Sequence, residues 1–219
     1  MQDKDKKQIC IVFASTNSGM GKLIRRVTHY KYNHVAISLT KDLSTLYSFA
    51  RYNYDSPLVG GFVEESVLRY LYNDGQAADI RVYAIPVTKE QYTKLENIIE
   101  NIKKNSSEYI YNTLSAMMTP IGTRISIYRA YTCVEFVSTV LSKCGIINGI
   151  MPGDFCTIEN MEKLLQGHLI YDGTADYAAN GEDWGDDQYM KKNGRLGSCR
   201  GTIRHFGRLI YRAVHQERA

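Results

Sequence analysis

Short apolar segments with strand character recur along the chain, and they limit its possible folds more than any other feature. ICIVFA (9–14) is a continuous run rich in β-branched residues, which is typical of a buried strand. HVAISL (34–39) alternates in polarity, and TKDLS after it predicts the turn of a hairpin. None of these segments approaches the roughly 20 apolar residues of a membrane-spanning helix. The other predicted strands are TLYSFA (45–50), IRVYAIPV (80–87) and HLIYDG (168–173).

Helices are predicted between these strands. Thr88 and Gln91 have the spacing of a capping box, and the apolar residues that follow share one face of a long amphipathic helix. KLIRRVTHYK predicts a second helix, and FVEESVLRYLYN predicts a short third one. The stripe of the long helix consists of Tyr92, Leu95, Ile99 and Ile102.

Length and composition are those of an ordinary globular protein. The 219 residues suit one domain of generous size, and a hydrophobic fraction of 44% is enough for a core without disulfides. From about Ala178 the chain becomes polar and rich in glycine. We therefore divide it into a domain over 1–177 and a C-terminal extension over 178–219 that is rich in glycine and arginine.

The lack of an export signal and the cysteine content indicate a protein of a reducing compartment. The N-terminal stretch MQDKDKKQICIVFA has no export signal, and the five cysteines form no short-range pair. We therefore expect reduced thiols and a cytoplasmic location. A net charge of +4 is too small to indicate nucleic acid, and we expect none to bind the domain.

The loop STNSGMGKL has the context of a phosphate-binding loop, because it follows a predicted strand and precedes a predicted helix. A Walker A motif, however, requires glycine at the position of Thr16 and a hydroxyl residue at the position of Leu23. Without that hydroxyl the loop lacks its magnesium ligand. We do not expect nucleotide hydrolysis here.

Cys133 lies where a helix is predicted to begin. Thr132 and Glu135 have capping-box spacing, which makes Thr132 the N-cap and Cys133 the first helical residue. Unpaired N–H groups and the positive end of the helix dipole favour a thiolate here and can stabilise an oxyanion beside it. The helix alone fits a buried, unreactive cysteine better, because an apolar stripe continues from it. That stripe consists of Phe136, Val137, Val140, Leu141 and Cys144.

A nucleophilic cysteine requires a base, and His34 is the best placed of the five histidines. In a strand, His34 shares its face with Ala36 and Ser38 and points away from the more apolar face. If the hairpin turns near Asp42, Ser48 lies one diagonal from His34 and can orient the imidazole. The alternative is a histidine at a strand end that has only a structural hydrogen bond.

The segments YNHVAISL, LYSFAR and YTCVEFVSTVL, in this order, resemble the circularly permuted NlpC-type papain-like thiol hydrolases. That family includes YiiX-like proteins and relatives of lecithin:retinol acyltransferase. The resemblance extends over residues 9–177 and implies an α+β fold in which an antiparallel sheet packs against the helix that carries the cysteine. It implies Cys133 as nucleophile and His34 as base. Family members commonly place an acid, an amide or a second histidine on the strand after the histidine strand, where this chain has Ser48.

The function implied by the resemblance is that of a cysteine hydrolase or acyltransferase. Such an enzyme cleaves an amide, ester or isopeptide bond through an acyl-enzyme and needs no metal or cofactor. Its substrate would be a small-molecule, peptide or lipid acyl group. The long aromatic loop RYNYDSPLVGGFVEES is expected to cover the cleft. Candidate substrate contacts are Arg51, Tyr52, Tyr54 and Tyr131.

Two alternatives lead away from catalysis. In one, the papain-like domain is an inactive module that keeps a ligand-binding cleft. In the other, Cys144, Cys156 and His168 bind zinc, but their spacing is much wider than that of usual ligand pairs.

The C-terminal extension carries a basic stripe. Its arginines recur every four residues with apolar residues between them, as in helices that contact a membrane surface, nucleic acid or a protein partner. Gly201 and Gly207 weaken such a helix, and upstream acidic residues offer ion pairs as an alternative. The arginines are Arg200, Arg204, Arg208 and Arg212, and the acids are Glu182, Asp183, Asp186 and Asp187.

Overall fold

The computed structural model describes residues 7–16, 19–56, 58–70, 76–175, 189, 191 and 194–215. All structural statements below refer to these residues. The domain boundary predicted near 177 and the acidic residues between 182 and 187 lie outside them.

The described residues form a mixed α+β fold around one large antiparallel sheet. Six strands pair in the order β4-β3-β2-β1-β5-β8, and β6 and β7 form a separate parallel pair. The strands are β1 (Lys7–Ala14), β2 (His34–Ser38), β3 (Leu46–Arg51), β4 (Gly60–Glu65), β5 (Asp79–Val87), β6 (Ile110–Tyr111), β7 (Ala130–Tyr131) and β8 (Leu169–Thr174). The helices are α1 (Gly19–Thr28), α2 (Lys89–Lys104), α3 (Thr113–Met118), α4 (Cys133–Lys143), α5 (Ile158–Leu165) and α6 (Gly194–His215).

The central strands are apolar on both faces, because the sheet has a core on each side. Ile9, Ile11 and Phe13 of β1 pack in one cluster with buried residues of α2, α4 and α5. The alternate residues Cys10 and Val12 pack in a second cluster with the segment after β4. Each large side chain fully buried in this way contributes about 1.5–3 kcal/mol. This arrangement explains why ICIVFA is continuously apolar rather than alternating.

The two predicted capping boxes are confirmed. At α2, the Thr88 hydroxyl accepts from the Gln91 N–H at 3.1 Å, and the Gln91 side chain accepts from the Thr88 N–H at 3.0 Å. The second box, at α4, belongs to the candidate site. Both helices begin where the sequence pattern predicted.

The short helix predicted over FVEESVLRYLYN is wrong. Its first four residues belong to β4, and a 3₁₀ turn follows over Val67–Tyr70. Strand pairing determines the outcome, because Phe62 lies opposite Phe49 of β3 and their rings pack edge to face. Glu65 thereby becomes the last residue of a strand at the edge of the sheet.

α6, in the C-terminal extension, packs onto the rest of the molecule. Leu209 is fully buried in a small cluster with Ile110, Ile127 and Ala130. The Nε2 of His205 lies 2.9 Å from the Tyr111 carbonyl oxygen. Among the described residues, no helix is both long and apolar enough to span a bilayer.

Candidate active site

Cys133 is the first residue of α4, and the capping box fixes its position. The Thr132 hydroxyl accepts from the Glu135 N–H at 3.3 Å, and a Glu135 carboxylate oxygen accepts from the Thr132 N–H at 2.7 Å. The other oxygen of Glu135 accepts from the Ser115 hydroxyl at 2.7 Å. Glu135 therefore has a structural role, and the N–H groups of Cys133 and Val134 have no carbonyl acceptor within the helix.

Packing of α4 against β2 and β3 brings Cys133 to His34. The two side chains are neighbours in the fold, and Cys133 is one of the groups that raise the pKa of His34. Nε2 of His34 is already bonded, so Nδ1 is the ring nitrogen that remains for Cys133. Cys133 is only 4% exposed and also belongs to the main apolar cluster. Cys133 therefore lies both near a histidine and in the apolar core, the two environments that the sequence analysis treated as alternatives.

The partner of His34 is Glu65. Nε2 of His34 lies 2.7 Å from Oε1 of Glu65, and both side chains are buried. The same oxygen accepts from the Ser48 hydroxyl at 2.7 Å and from the Tyr70 hydroxyl at 2.9 Å. Oε2 of Glu65 lies 3.3 Å from a guanidinium nitrogen of Arg69. The carboxylate is therefore buried with its hydrogen bonds and its charge satisfied.

These contacts hold both partners in their charged forms. Burial alone would lower the pKa of His34, but the negative charge of Glu65 and hydrogen bonds to Cys133 and Glu65 raise it to about 10. Burial alone would raise the pKa of Glu65, but the charge of His34 and its hydrogen bond, with Arg69 and Ser48, lower it to about 2. At neutral pH the pair is an imidazolium bonded to a carboxylate.

Ser48 lies near the predicted place but does not have the predicted contact. Ile37 pairs with Tyr47, so antiparallel register puts Ser48 opposite Ala36 and one diagonal from His34. Its hydroxyl donates to Glu65, however, and Glu65 takes the position on the imidazole that the sequence analysis gave to Ser48. Strand order is the reason. β3 lies between β2 and β4, so the longer carboxylate reaches across the small serine from two strands away.

Arg69 connects Glu65 to the C-terminal extension. Besides Glu65, its guanidinium donates to the Arg51 carbonyl oxygen and stacks 3.9 Å from the ring centroid of Tyr189. The Tyr189 hydroxyl in turn accepts from Arg51 at 2.7 Å. The extension therefore supports the residues that neutralise Glu65.

The four predicted substrate contacts occupy different places. Arg51 donates to the Tyr54 carbonyl oxygen at 2.9 Å and to the Tyr189 hydroxyl, and its charge opposes the rise in the pKa of Tyr111. Tyr54 packs against Tyr189 with ring centroids 6.5 Å apart, and its N–H donates to the Tyr189 carbonyl oxygen. The pKa of Tyr52 is raised by burial. Tyr131 packs against Phe49 and Tyr109. Asn53, Tyr54 and Ser56 of the loop predicted to cover the cleft are hydrogen-bonded to the extension.

Tyr111 is a residue of the site that the sequence analysis missed. Its pKa is raised well above the usual range, first by burial and then by electrostatic interactions with Cys133 and Glu135, against the opposing charge of Arg51. A phenol that stays protonated at neutral pH near Cys133 is a hydrogen-bond donor. No local sequence signal marks Tyr111, because it lies on a two-residue strand whose only pairing is with β7.

The zinc alternative has no support in the described part of the chain, where no three histidine, cysteine or acidic side chains are grouped to hold a metal ion.

Comparisons of the chain with protein-family models, with curated proteins and with solved structures gave no match. The functional argument therefore depends on the residues of the site.

Proposed function

We propose that this chain is a cysteine hydrolase or acyltransferase with a circularly permuted papain-like fold. It would act on an amide, ester or isopeptide bond through an acyl-enzyme on Cys133. One observation carries the proposal: Cys133 begins a helix and acts on the pKa of neighbouring His34, whose Nε2 is bonded to Glu65. A nucleophile, a base and a group that orients the base in one chain of contacts are the signature of nucleophilic catalysis.

The fold assignment has its own support. The histidine strand β2 precedes the cysteine helix α4 in the chain, and α4 packs against the antiparallel sheet that contains β2. This order matches the permuted arrangement implied by the sequence resemblance. All five cysteines are free thiols, which supports the proposed work in a reducing cytoplasm.

In the proposed mechanism the proton of Cys133 resides on His34, and the Glu65 carboxylate stabilises the resulting imidazolium. The sulfur attacks the acyl carbon, and the negative charge that develops on the carbonyl oxygen is stabilised by the N–H groups of the first turn of α4. Tyr111, whose pKa is raised by burial and by nearby Cys133, would donate a further hydrogen bond there as a protonated phenol. His34 then gives its proton to the leaving amine or alcohol, leaving the acyl group on sulfur.

Deacylation reverses the proton movement. Neutral His34 takes a proton from water, or from an acceptor alcohol or amine, as that oxygen or nitrogen attacks the thioester carbon. The acyl group leaves the sulfur, and His34 returns to the imidazolium form. The same residues would serve hydrolysis of the acyl-enzyme and transfer of its acyl group, so the two reactions differ only in the acceptor.

Trapping the acyl-enzyme tests the proposal. The full chain is mixed with p-nitrophenyl acetate, and we expect a burst of p-nitrophenol with one acetyl group mapped by mass to Cys133. Cys133→Ser and His34→Ala should lose the burst, whereas Cys144→Ser, which changes a buried cysteine at the opposite end of the same helix, should keep it. Acetylation spread over several residues, or none at all, would overturn the proposal.

A second candidate function is an inactive binding module. The observation that favours it is the 4% exposure of Cys133, which leaves little open surface for a substrate. If iodoacetamide also fails to reach Cys133 in the folded chain while the fold is intact, the module is the better description.

A further inference from the structure

We propose that the outward face of α6 binds an anionic lipid surface. This inference is independent of the catalytic proposal, because it depends on residues outside the site. α6 is a 22-residue helix, and it has apolar side chains on two faces rather than one.

One face of α6 is accounted for by packing. Leu209 is fully buried and His205 is 4% exposed, with its imidazole between the Thr113 hydroxyl and the Tyr111 carbonyl. Ser198 lies on the same side and bonds to Ser56 and the Asp55 carbonyl. These contacts fix the orientation of the helix on the molecule.

The opposite face is apolar and open to solvent. His205 follows Leu196 by nine residues, about two and a half turns, so the two lie on opposite faces. Starting at Leu196, successive steps of seven, seven and four residues along the helix lead to residues on the same face. All of them are apolar, and each is between 55% and 80% exposed. We call this set the outer stripe, and it consists of Leu196, Ile203, Ile210 and Val214.

The arginines next to the outer stripe indicate which kind of partner would bind it. α6 contains five arginines and no aspartate or glutamate. Arg200 and Arg204 are exposed beside the stripe, and the four arginine side chains of α6 that the structure describes, Arg200, Arg204, Arg208 and Arg212, form no ion pair with a described residue. An apolar stripe flanked by arginines is the design of helices that lie in a bilayer interface.

The same charge disfavours a second copy of this chain as the partner. Two α6 helices packed through their outer stripes would bring two arginine rows together without a neutralising acid on either helix. An anionic lipid surface accepts the apolar side chains and neutralises the arginines near the surface.

Sedimentation with vesicles tests this inference on the full chain. We expect binding to equimolar phosphatidylcholine and phosphatidylglycerol, weak binding to phosphatidylcholine alone, and loss of binding as salt is raised. The double variants Ile203→Gln/Ile210→Gln and Arg200→Gln/Arg204→Gln should each weaken binding by on the order of tenfold or more.

Two matched double variants serve as controls. Leu169→Gln/Ile170→Gln removes exposed apolar side chains on β8, and Lys89→Gln/Lys94→Gln removes exposed charges on α2. Both should bind anionic vesicles as the wild type does. Melting curves establish that all variants are folded.

Three results would overturn the inference. One is the absence of binding to anionic vesicles, and another is binding that the α6 variants do not change. The third is a wild-type dimer in sedimentation velocity that Ile203→Gln/Ile210→Gln dissociates, since a second copy would then cover the outer stripe.

Discussion

At the scale of single residues, Glu65 determines the charge state of the candidate site. It receives hydrogen bonds from His34, Ser48 and Tyr70 and lies beside Arg69. A carboxylate with these partners stays ionised and keeps His34 protonated, which a serine hydroxyl alone would do poorly. The acid that the family commonly places near the histidine is therefore supplied by Glu65, a residue that the sequence analysis had placed in a helix, rather than at the position of Ser48.

Glu65→Gln should lower the rate of Cys133 acylation by about 10²-fold or more, because the imidazolium loses its counter-charge. Ser48→Ala should lower it only a few-fold, because Glu65 keeps its contacts with His34, Tyr70 and Arg69. The p-nitrophenyl acetate burst measures both rates. If Ser48→Ala is the more damaging change, Ser48 rather than Glu65 orients the imidazole.

At the scale of elements, the sequence predicted correctly those features that depend on residues close together in the chain. The capping boxes at Thr88 and Thr132 predicted the starts of two helices, and the alternation in HVAISL predicted the histidine strand. Glu65 was missed because its contact depends on strand order, which no periodicity specifies. The segment FVEES is compatible with a helix or a strand until β3 is available as its partner.

The capping box of α4 should matter for reactivity as well as for stability. Thr132→Ala and Thr88→Ala remove equivalent caps, and each should cost about 1 kcal/mol of unfolding free energy. Only Thr132→Ala should also slow the alkylation of Cys133, because only that cap positions Cys133. Urea denaturation and iodoacetamide kinetics measure the two effects. Equal alkylation rates in the two variants would show that the cap has a structural role alone.

At the scale of the whole molecule, the C-terminal helix is bound to the domain by one fully buried side chain and several polar contacts. Leu209→Ala should destabilise the protein by about 2–5 kcal/mol, whereas Ile210→Ala, at an exposed position, should cost much less. Thermal unfolding compares the two variants. If Leu209→Ala leaves the main transition unchanged, the extension is independent of the domain, as the division at 177 would suggest.

Stability should depend on pH through the His34–Glu65 pair. The folded pKa of Glu65, about 2, lies below its ordinary 4.5, so stability is lost as pH falls from 4.5 towards 2. The folded pKa of His34, about 10, lies above its ordinary 6.5, so stability is lost as pH rises from 6.5 towards 10. The stability that this pair contributes is greatest between pH 4.5 and pH 6.5.

Denaturant unfolding across pH measures this dependence. Glu65→Gln should flatten both arms of the curve, and Glu64→Gln, which changes the exposed neighbour, should leave them in place. Identical curves for the wild type and Glu65→Gln would mean that the pair does not form in solution.

The central claim is that Cys133 and His34 form a reactive pair, and the rate of iodoacetamide alkylation against pH tests it most directly. Peptide mapping assigns the rate to each of the five cysteines, with exposed Cys199 as the internal reference. Burial raises the pKa of Cys10 and Cys156 to about 11, so these thiols should stay slow. We predict that Cys133 reacts fast well below pH 8 and that His34→Ala abolishes this advantage. A Cys133 that stays inert until denaturant is added would contradict the account.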